Sequence, residues 1–294
     1  MIRQPLLILP FDHRSSFSKN LFNWEGELNA KQNKQISLYK TIVYKGFLMA
    51  VKSIKNKKHF GILVDQDYGT QILQDAKKKG FTITMPVEKS GQKAFTFNYG
   101  KSFGVWIEKI KPDYVKVLVR YNPNDKEINK IQLSRLAKLN DYCKKHGHKI
   151  MFELLVPASE KDLKKVKTES NYDSKLRPIY TIKAIKEIKK AIQPELWKME
   201  GFSKSDWKKV LQVIGKDADV IILGRGQSDK KVEKWLKDAA SFNQIVGFAV
   251  GRTIFFEPLE KLKDKKITQK QAIEKIGKNY SKYIDLWRKA KKSI

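Results

Sequence analysis

Three charged residues stand inside otherwise apolar, β-rich runs: Lys116 in YVKVLV, Glu153 in MFELLV and Lys198 in LWKME. An isolated charge in such a run is costly to bury unless it is paired or used. Two ammonium groups and a carboxylate in one partly dehydrated cavity would form a recognisable chemical apparatus. A lysine desolvated beside another cation gives up its proton more readily and becomes an amine nucleophile toward carbonyls. A nearby carboxylate can then move protons through carbinolamine, iminium and enamine steps. On this reading Lys198 is the nucleophile, and its apolar neighbours Trp197 and Met199 loosen its proton. Lys116 is the second cation and Glu153 the acid–base. For each residue alone a structural salt bridge explains the charge equally well, so the combination carries the specificity.

These residues meet only if the runs that hold them are neighbouring strands. Eight short apolar runs read as strands: 6–11, 60–65, 81–87, 113–119, 149–156, 195–200, 218–224 and 246–251. Amphipathic, lysine-rich stretches alternate with them at about 32–55, 68–79, 99–110, 126–145, 174–192, 204–214 and 228–240. A last helix spans about 268–292, started by Thr268 as N-cap. Eight strand–helix units in 294 residues predict an α/β fold, a (β/α)8 TIM barrel with a C-terminal helical extension, read as a single domain over 1–294. An open doubly wound sheet is the other arrangement that fits the count.

In a barrel the active site lies at the carboxyl ends of the strands, and those ends are polar here. Asp12 and Arg14 follow the first run, Asp65 ends the second, and Lys89 follows the third. Arg120 follows the fourth, Glu200 ends the sixth, and Gly224-Arg225-Gly226 and Gly251-Arg252 stand at the turns after the seventh and eighth. Loops begin polar anyway, which accounts for part of the pattern. The chain has only eight arginines, yet two stand at glycine turns after the seventh and eighth runs. Backbone N–H groups at such turns, a helix N-terminus and two planar guanidinium forks make an anion site, and a phosphate is expected there.

Composition thins the rivals. The net charge of +30 suggests nucleic acid at first, but fifty-three of the 61 basic residues are lysines, spread over every helical stretch. Nucleic-acid readers gather charge on one face and favour arginine, so the spread fits a compositional bias and no specific nucleic-acid partner is expected. With one cysteine, Cys143, there is no disulfide framework, and a reducing cytoplasm is the expected location. No stretch is long and apolar enough for a membrane span, and PLLILPF is too short for a secretion signal. Of four histidines, His59, His146 and His148 fall before strands and only His13 is well placed, so a zinc site is not expected. No phosphate-loop or dinucleotide fingerprint occurs, and Ser15, Ser16 and Ser90 have no base at a defined spacing.

The segments LPFDHRSSF, GILVDQDYG, MPVEKSGQ, VKVLVRYNP, MFELLVPA, LRP, LWKMEGF, ILGRGQSDKKVEKWL and GFAVGRTIFFEPL together resemble a known group. It is the aldolase-like domain found fused to 5-dehydro-2-deoxygluconokinase in inositol catabolism. That domain is similar in turn to the class I tagatose 1,6-bisphosphate and sulfofructose-phosphate aldolases. The resemblance spans about residues 5–260. It implies a (β/α)8 lyase, with Lys198 as Schiff-base lysine, Glu153 as acid–base, Lys116 as the second lysine, and Gly251 and Arg252 in a phosphate-binding turn. Asp12, Asp65 and Lys89 lie in shared motifs and are matched to substrate hydroxyls or orientation. The implied substrate is 2-deoxy-5-keto-gluconate 6-phosphate, cleaved to dihydroxyacetone phosphate and malonate semialdehyde. The kinase half has no counterpart in this sequence, and the lysine load is heavier than in the family.

The expectation is therefore a class I aldolase that needs no cofactor or metal. Its partner would be a phosphorylated sugar, with a homo-oligomer left open. A phospho-sugar isomerase or epimerase on the same barrel and a non-catalytic basic nucleic-acid-associated protein are the alternatives.

Overall fold

The computed structural model describes residues 3–292. Eight parallel strands close into a barrel in sequence order: β1 (Leu6–Pro10), β2 (Phe60–Leu63), β3 (Thr82–Pro86), β4 (Tyr114–Arg120), β5 (Ile150–Leu155), β6 (Leu196–Met199), β7 (Asp219–Leu223) and β8 (Ile245–Ala249). Closure by β1–β8 pairing, Leu6 with Gly247 through Ile8 with Ala249, removes the open-sheet alternative. The strands carry α1 (Ser15–Phe22) and α2 (Ala30–Ala50) after β1, α3 (Gln66–Lys78) after β2 and α4 (Phe103–Ile110) after β3. α5 (Lys126–His146) follows β4. After β5 the chain runs through α6 (Glu160–Val166), α7 (Glu169–Asn171), a π-turn at Tyr172–Leu176 and α8 (Arg177–Ile188). α9 (Lys204–Ile214), α10 (Asp229–Ala240), α11 (Arg252–Lys263) and α12 (Gln269–Lys292) complete the ring.

Alternation along each strand sorts side chains between two cores. Leu6, Ile8, Leu63, Met151, Leu196, Ile221, Val246 and Ala249 pack as a separate buried cluster inside the barrel, plugging its lower half. The residues that alternate with inward-facing ones along the strands (Leu7, Leu9, Val115, Val117, Phe152, Trp197) join the larger core beneath the helices. Phe152 and Trp197 meet there with ring centroids 5.0 Å apart. Burying a side chain of this size is worth roughly 1.5–3 kcal/mol. The polar residues of β4, β5 and β6 stand above the inner plug, at its water-facing end.

α12 starts where Thr268 accepts from Gln271 N (3.2 Å) while Gln271 Oε1 accepts from Thr268 N (2.8 Å), a reciprocal capping box. It lies against α2 at a glycine contact: a Cβ on Gly46 would meet Ile276 Cγ2 at 2.5 Å. Four helices lack a counterpart in the sequence reading: α1, α6, α7 and α11. The first three are three to eight residues long, too short for a periodic apolar stripe to register. α11 carries Pro258 in its interior, a residue that reads as a break.

Candidate functional site

Strand register brings the three buried charges together. Leu118, Glu153 and Lys198 pair across β4, β5 and β6 in one row, and Lys116 pairs with Met151 one layer below. Glu153 Oε2 lies 2.9 Å from Lys198 Nζ and 2.9 Å from Lys116 Nζ, so the carboxylate sits between the two ammonium groups. This corrects part of the sequence reading. Trp197 and Met199 point outward into the helix-side core, so the apolar neighbours of Lys198 in sequence are not its surroundings in space. The lysine faces a polar cluster.

Two further carboxyls converge on the same point. Lys116 Nζ donates to Asp12 Oδ2 at 2.9 Å and to Glu88 Oε1 at 2.6 Å, so its three N–H groups all reach carboxyls. Burial would strip the Lys116 proton, but Asp12, Glu153 and Glu88 outweigh it and hold the ammonium well above its ordinary range. The same pairing runs in reverse for two partners. Burial raises Asp12 and Glu153, yet Lys116 and Lys198 together keep both below the ordinary carboxyl value. Glu88 behaves differently: burial dominates, Lys116 compensates only partly, and its carboxyl is raised. His13 is driven down to about 4, chiefly by burial, with Arg252 and Lys198 adding to the effect, so it is neutral at pH 7.

The cluster floors a cavity of about 130 Å³ roofed by the loop after β3. That loop is a short hairpin in which Glu88 bridges Phe97 and Lys89 N donates to Thr96 O at 2.7 Å. α5 pins it: Arg135 donates to Phe95 O at 2.6 Å, and Gln132 Oε1 accepts from Phe95 N at 2.9 Å. Lys89 and Arg120 line this cavity, as does Arg14, which also donates to the Glu88 main-chain oxygen and to Asp67 Oδ2 at 3.4 Å.

A second cavity of about 200 Å³ shares His13, Ser16, Leu118, Arg120, Glu153 and Lys198 with the first. Lys198 thus stands where the two lobes join. The second lobe is completed by Gly224, Arg225, Gly226, Gly251 and Arg252. Arg225 and Gly226 adopt left-handed backbone (φ 53° and 70°), and a Cβ on Gly226 would come within 2.9 Å of the Arg252 guanidinium carbon. Gly251 precedes α11 and admits no side chain, since a Cβ would fall 2.2 Å from Pro10 O. Together these glycines let the Arg252 fork and the start of α11 face the lobe. Burial, then Arg225, lowers Arg252 from its ordinary value.

Two expected site residues lie elsewhere. Asp65 is fully buried, caps α3 through Tyr68 N (3.0 Å) and is ion-paired with Lys40 of α2; it lines neither lobe. Glu200 also lines neither. It accepts from Arg225 Nη1 at 2.6 Å and lies 3.9 Å from Arg177 Nη1, so it positions an arginine. Glu88 and His13 were not among the expected site residues, although a signal for Glu88 was present. Thr82, Thr84 and Pro86 set the inward parity of β3, and Glu88 continues it by two. Among the described residues no group of three or more His, Cys, Asp or Glu side chains is arranged to hold a metal ion.

Solved structures resemble this chain over nearly its whole length. Cgl0159 from Corynebacterium glutamicum (Brevibacterium flavum) aligns with TM-score 0.57 and 14% identity, over 95% of this chain and 86% of that one. An archaeal fructose 1,6-bisphosphate aldolase aligns with TM-score 0.55 and 12% identity, covering 96% and 93%. The fructose-bisphosphate aldolase from Slackia heliotrinireducens gives 0.55 and 10%, covering 93% and 86%. At these identities the likeness is one of fold. No curated protein matches the sequence. The model of the family described as "Uncharacterized protein conserved in bacteria (DUF2090)" matches residues 2–291, and the chain belongs to that family.

Proposed function

We propose that this protein is a class I, Schiff-base aldolase that cleaves a phosphorylated keto-sugar or keto-sugar acid. One candidate is 2-deoxy-5-keto-gluconate 6-phosphate, giving dihydroxyacetone phosphate and malonate semialdehyde. One observation carries the reading: the Lys198 amine lies 2.9 Å from the Glu153 carboxylate where an arginine-lined lobe joins a polar one. Two of the similar folds being fructose-bisphosphate aldolases adds support.

The geometry suits the chemistry step by step. Glu153 takes a proton from Lys198, and the free amine adds to the substrate ketone. The resulting hydroxyl leaves as water with the proton that Glu153 returns, leaving an iminium on Lys198. Glu153 next removes the proton of the hydroxyl carried by the far carbon of the bond to be broken. The C–C electrons flow into the iminium, an aldehyde departs, and the enamine is protonated at carbon before hydrolysis frees the lysine. Lys116, fixed by three carboxyls, holds Glu153 in place. Arg252, the backbone at Gly224, Gly226 and Gly251, and Arg225 hold the phosphate, while Arg14, Lys89 and Arg120 face the rest of the substrate.

A phospho-sugar isomerase is a second reading, favoured by Asp12 and Glu88. Their proton affinities are pushed apart on either side of Lys116, the pattern of an acid–base pair. A screen of phosphorylated ketoses separates the two readings. The aldolase releases an aldehyde from at least one of them, and Lys198→Ala loses the activity. Ketose–aldose interconversion with the carbon chain intact, undiminished in Lys198→Ala, would replace the aldolase reading with the isomerase.

A further inference from the structure

We propose that Glu88 is the neutral carboxyl of the site: it keeps its proton at neutral pH and donates it as a hydrogen bond to the substrate oxygen that gains negative charge as the Lys198 amine adds. Counting charges leads there first. Five groups are joined by direct contacts: Lys116 with Asp12, Glu88 and Glu153, and Glu153 with Lys198. Fully ionised, the set would hold three negative and two positive charges under a roofed cavity, and the neighbouring Arg14 with its partner Asp67 adds one of each sign and leaves that excess unchanged; an unbalanced buried charge is expensive. One proton makes it electroneutral.

Geometry then selects the residue that carries it. Glu153 touches both ammonium groups, and Asp12 feels both of them as well. Glu88 touches Lys116 alone, through Oε1, and its Oε2 is buried without any hydrogen-bond partner. An orphaned buried carboxyl oxygen calls for an explanation, and a carboxylic O–H awaiting an acceptor supplies one. The other charged groups around it do not stand in for that partner. Arg14, which follows β1, donates through its two terminal nitrogens to Asp67 and to the Glu88 main-chain oxygen and makes no hydrogen bond to the carboxyl; its charge opposes protonation of Glu88, but burial outweighs it. Lys89 and Lys93, on Glu88's own hairpin, line the same cavity without contacting the carboxyl. Burial favours the protonated form in the same direction.

A neutral donor placed where charge develops acts as an oxyanion-stabilising group, and loss of one such donor costs on the order of 10²–10³ in rate. That this oxygen belongs to a carbinolamine rests on the aldolase reading; that Glu88 is protonated does not. Infrared spectroscopy of the intact protein at neutral pH tests the second point alone. A protonated-carboxyl C=O band is expected in wild type and in Asp12→Asn, and is expected to vanish in Glu88→Gln. Absence of the band in wild type, or its survival in Glu88→Gln, overturns the proposal.

Borohydride trapping with a panel of phosphorylated ketoses tests the first point. The trapping rate should fall about 100-fold in Glu88→Ala, with part of it restored in Glu88→Gln, whose amide N–H can still donate. The wild-type rate should decline at alkaline pH as Glu88 ionises, and Glu88→Gln should lack that decline. Equal impairment of the two variants, or the same alkaline decline in both, contradicts the donor role. Failure of every ketose to trap would sink the aldolase reading while the infrared band still decides the proton.

Discussion

The residue that most departs from its reading in sequence is Lys198. Its apolar neighbours suggested a lysine stripped of water, whereas the barrel turns them outward and gives the amine a carboxylate 2.9 Å away. In the proposed mechanism, proton transfer within that pair, rather than an apolar wrapping, readies the nucleophile. Glu153→Gln keeps the shape but removes the proton carrier, so turnover should drop by about 10²–10⁴, read as kcat for aldehyde release. Glu153→Gln unchanged in kcat would remove Glu153 from the mechanism. His13 sets an acid-side stability limit. Its folded value is about 4 against an ordinary 6.5. Below pH 6.5 the unfolded chain gains a proton that the folded chain refuses, and stability falls until pH 4, by up to about 3 kcal/mol. His13→Gln should flatten the pH dependence of Tm between pH 6.5 and 4. An unchanged slope would show that other groups set it.

At the scale of elements, the eight strands were legible because each is a short apolar run bounded by polar turns, and the neighbour relation of β4, β5 and β6 followed from the rhythm alone. What the sequence could not show were contacts made by distant elements. The Lys40–Asp65 pair joins α2 to the end of β2, with both side chains fully buried. Nothing in GILVDQDYG distinguishes a capping, ion-paired aspartate from one that faces a substrate. Removing one partner leaves an uncompensated buried charge, so Lys40→Met should cost about 3–5 kcal/mol, and Lys40→Met with Asp65→Asn should recover much of it. Urea unfolding decides, and a double variant no more stable than Lys40→Met would argue against pairing as the cause. Glu200 is a similar case. Its inward parity in LWKME was visible, but its partner, Arg225, sits on the next strand's loop. Gly251→Ala would force apart the junction of β1 and α11, since its Cβ would meet Pro10 O at 2.2 Å. A several-fold rise in KM for a phosphorylated substrate is expected.

For the whole molecule, the net charge of +30 and the barrel answer different questions. The fold is specified by alternation and turn chemistry, and the lysines decorate its helices without choosing it. Several of the lysines are neutralised in short-range pairs such as Lys79–Asp75, Lys234–Asp238 and Lys261–Glu257, each one helical turn apart. Charge scattered in this way should bind DNA weakly. Elution from immobilised duplex DNA below physiological salt is expected, and retention well above it would revive a nucleic-acid role. Among the described residues no helix is long and apolar enough to cross a membrane. The two cavity lobes lie among the polar strand ends at the carboxyl end of the barrel, which were visible in the sequence. The hairpin that roofs one of them was not, because its position depends on Gln132 and Arg135 of α5.

The proposed chemistry requires a covalent bond at Lys198. Borohydride added during turnover of a phosphorylated ketose, followed by peptide mass mapping, reads it directly. The prediction is one reduced adduct per chain, carried by the peptide containing Lys198 and absent from Lys198→Ala. An active enzyme that yields no adduct, or one whose adduct maps to another lysine, would contradict it.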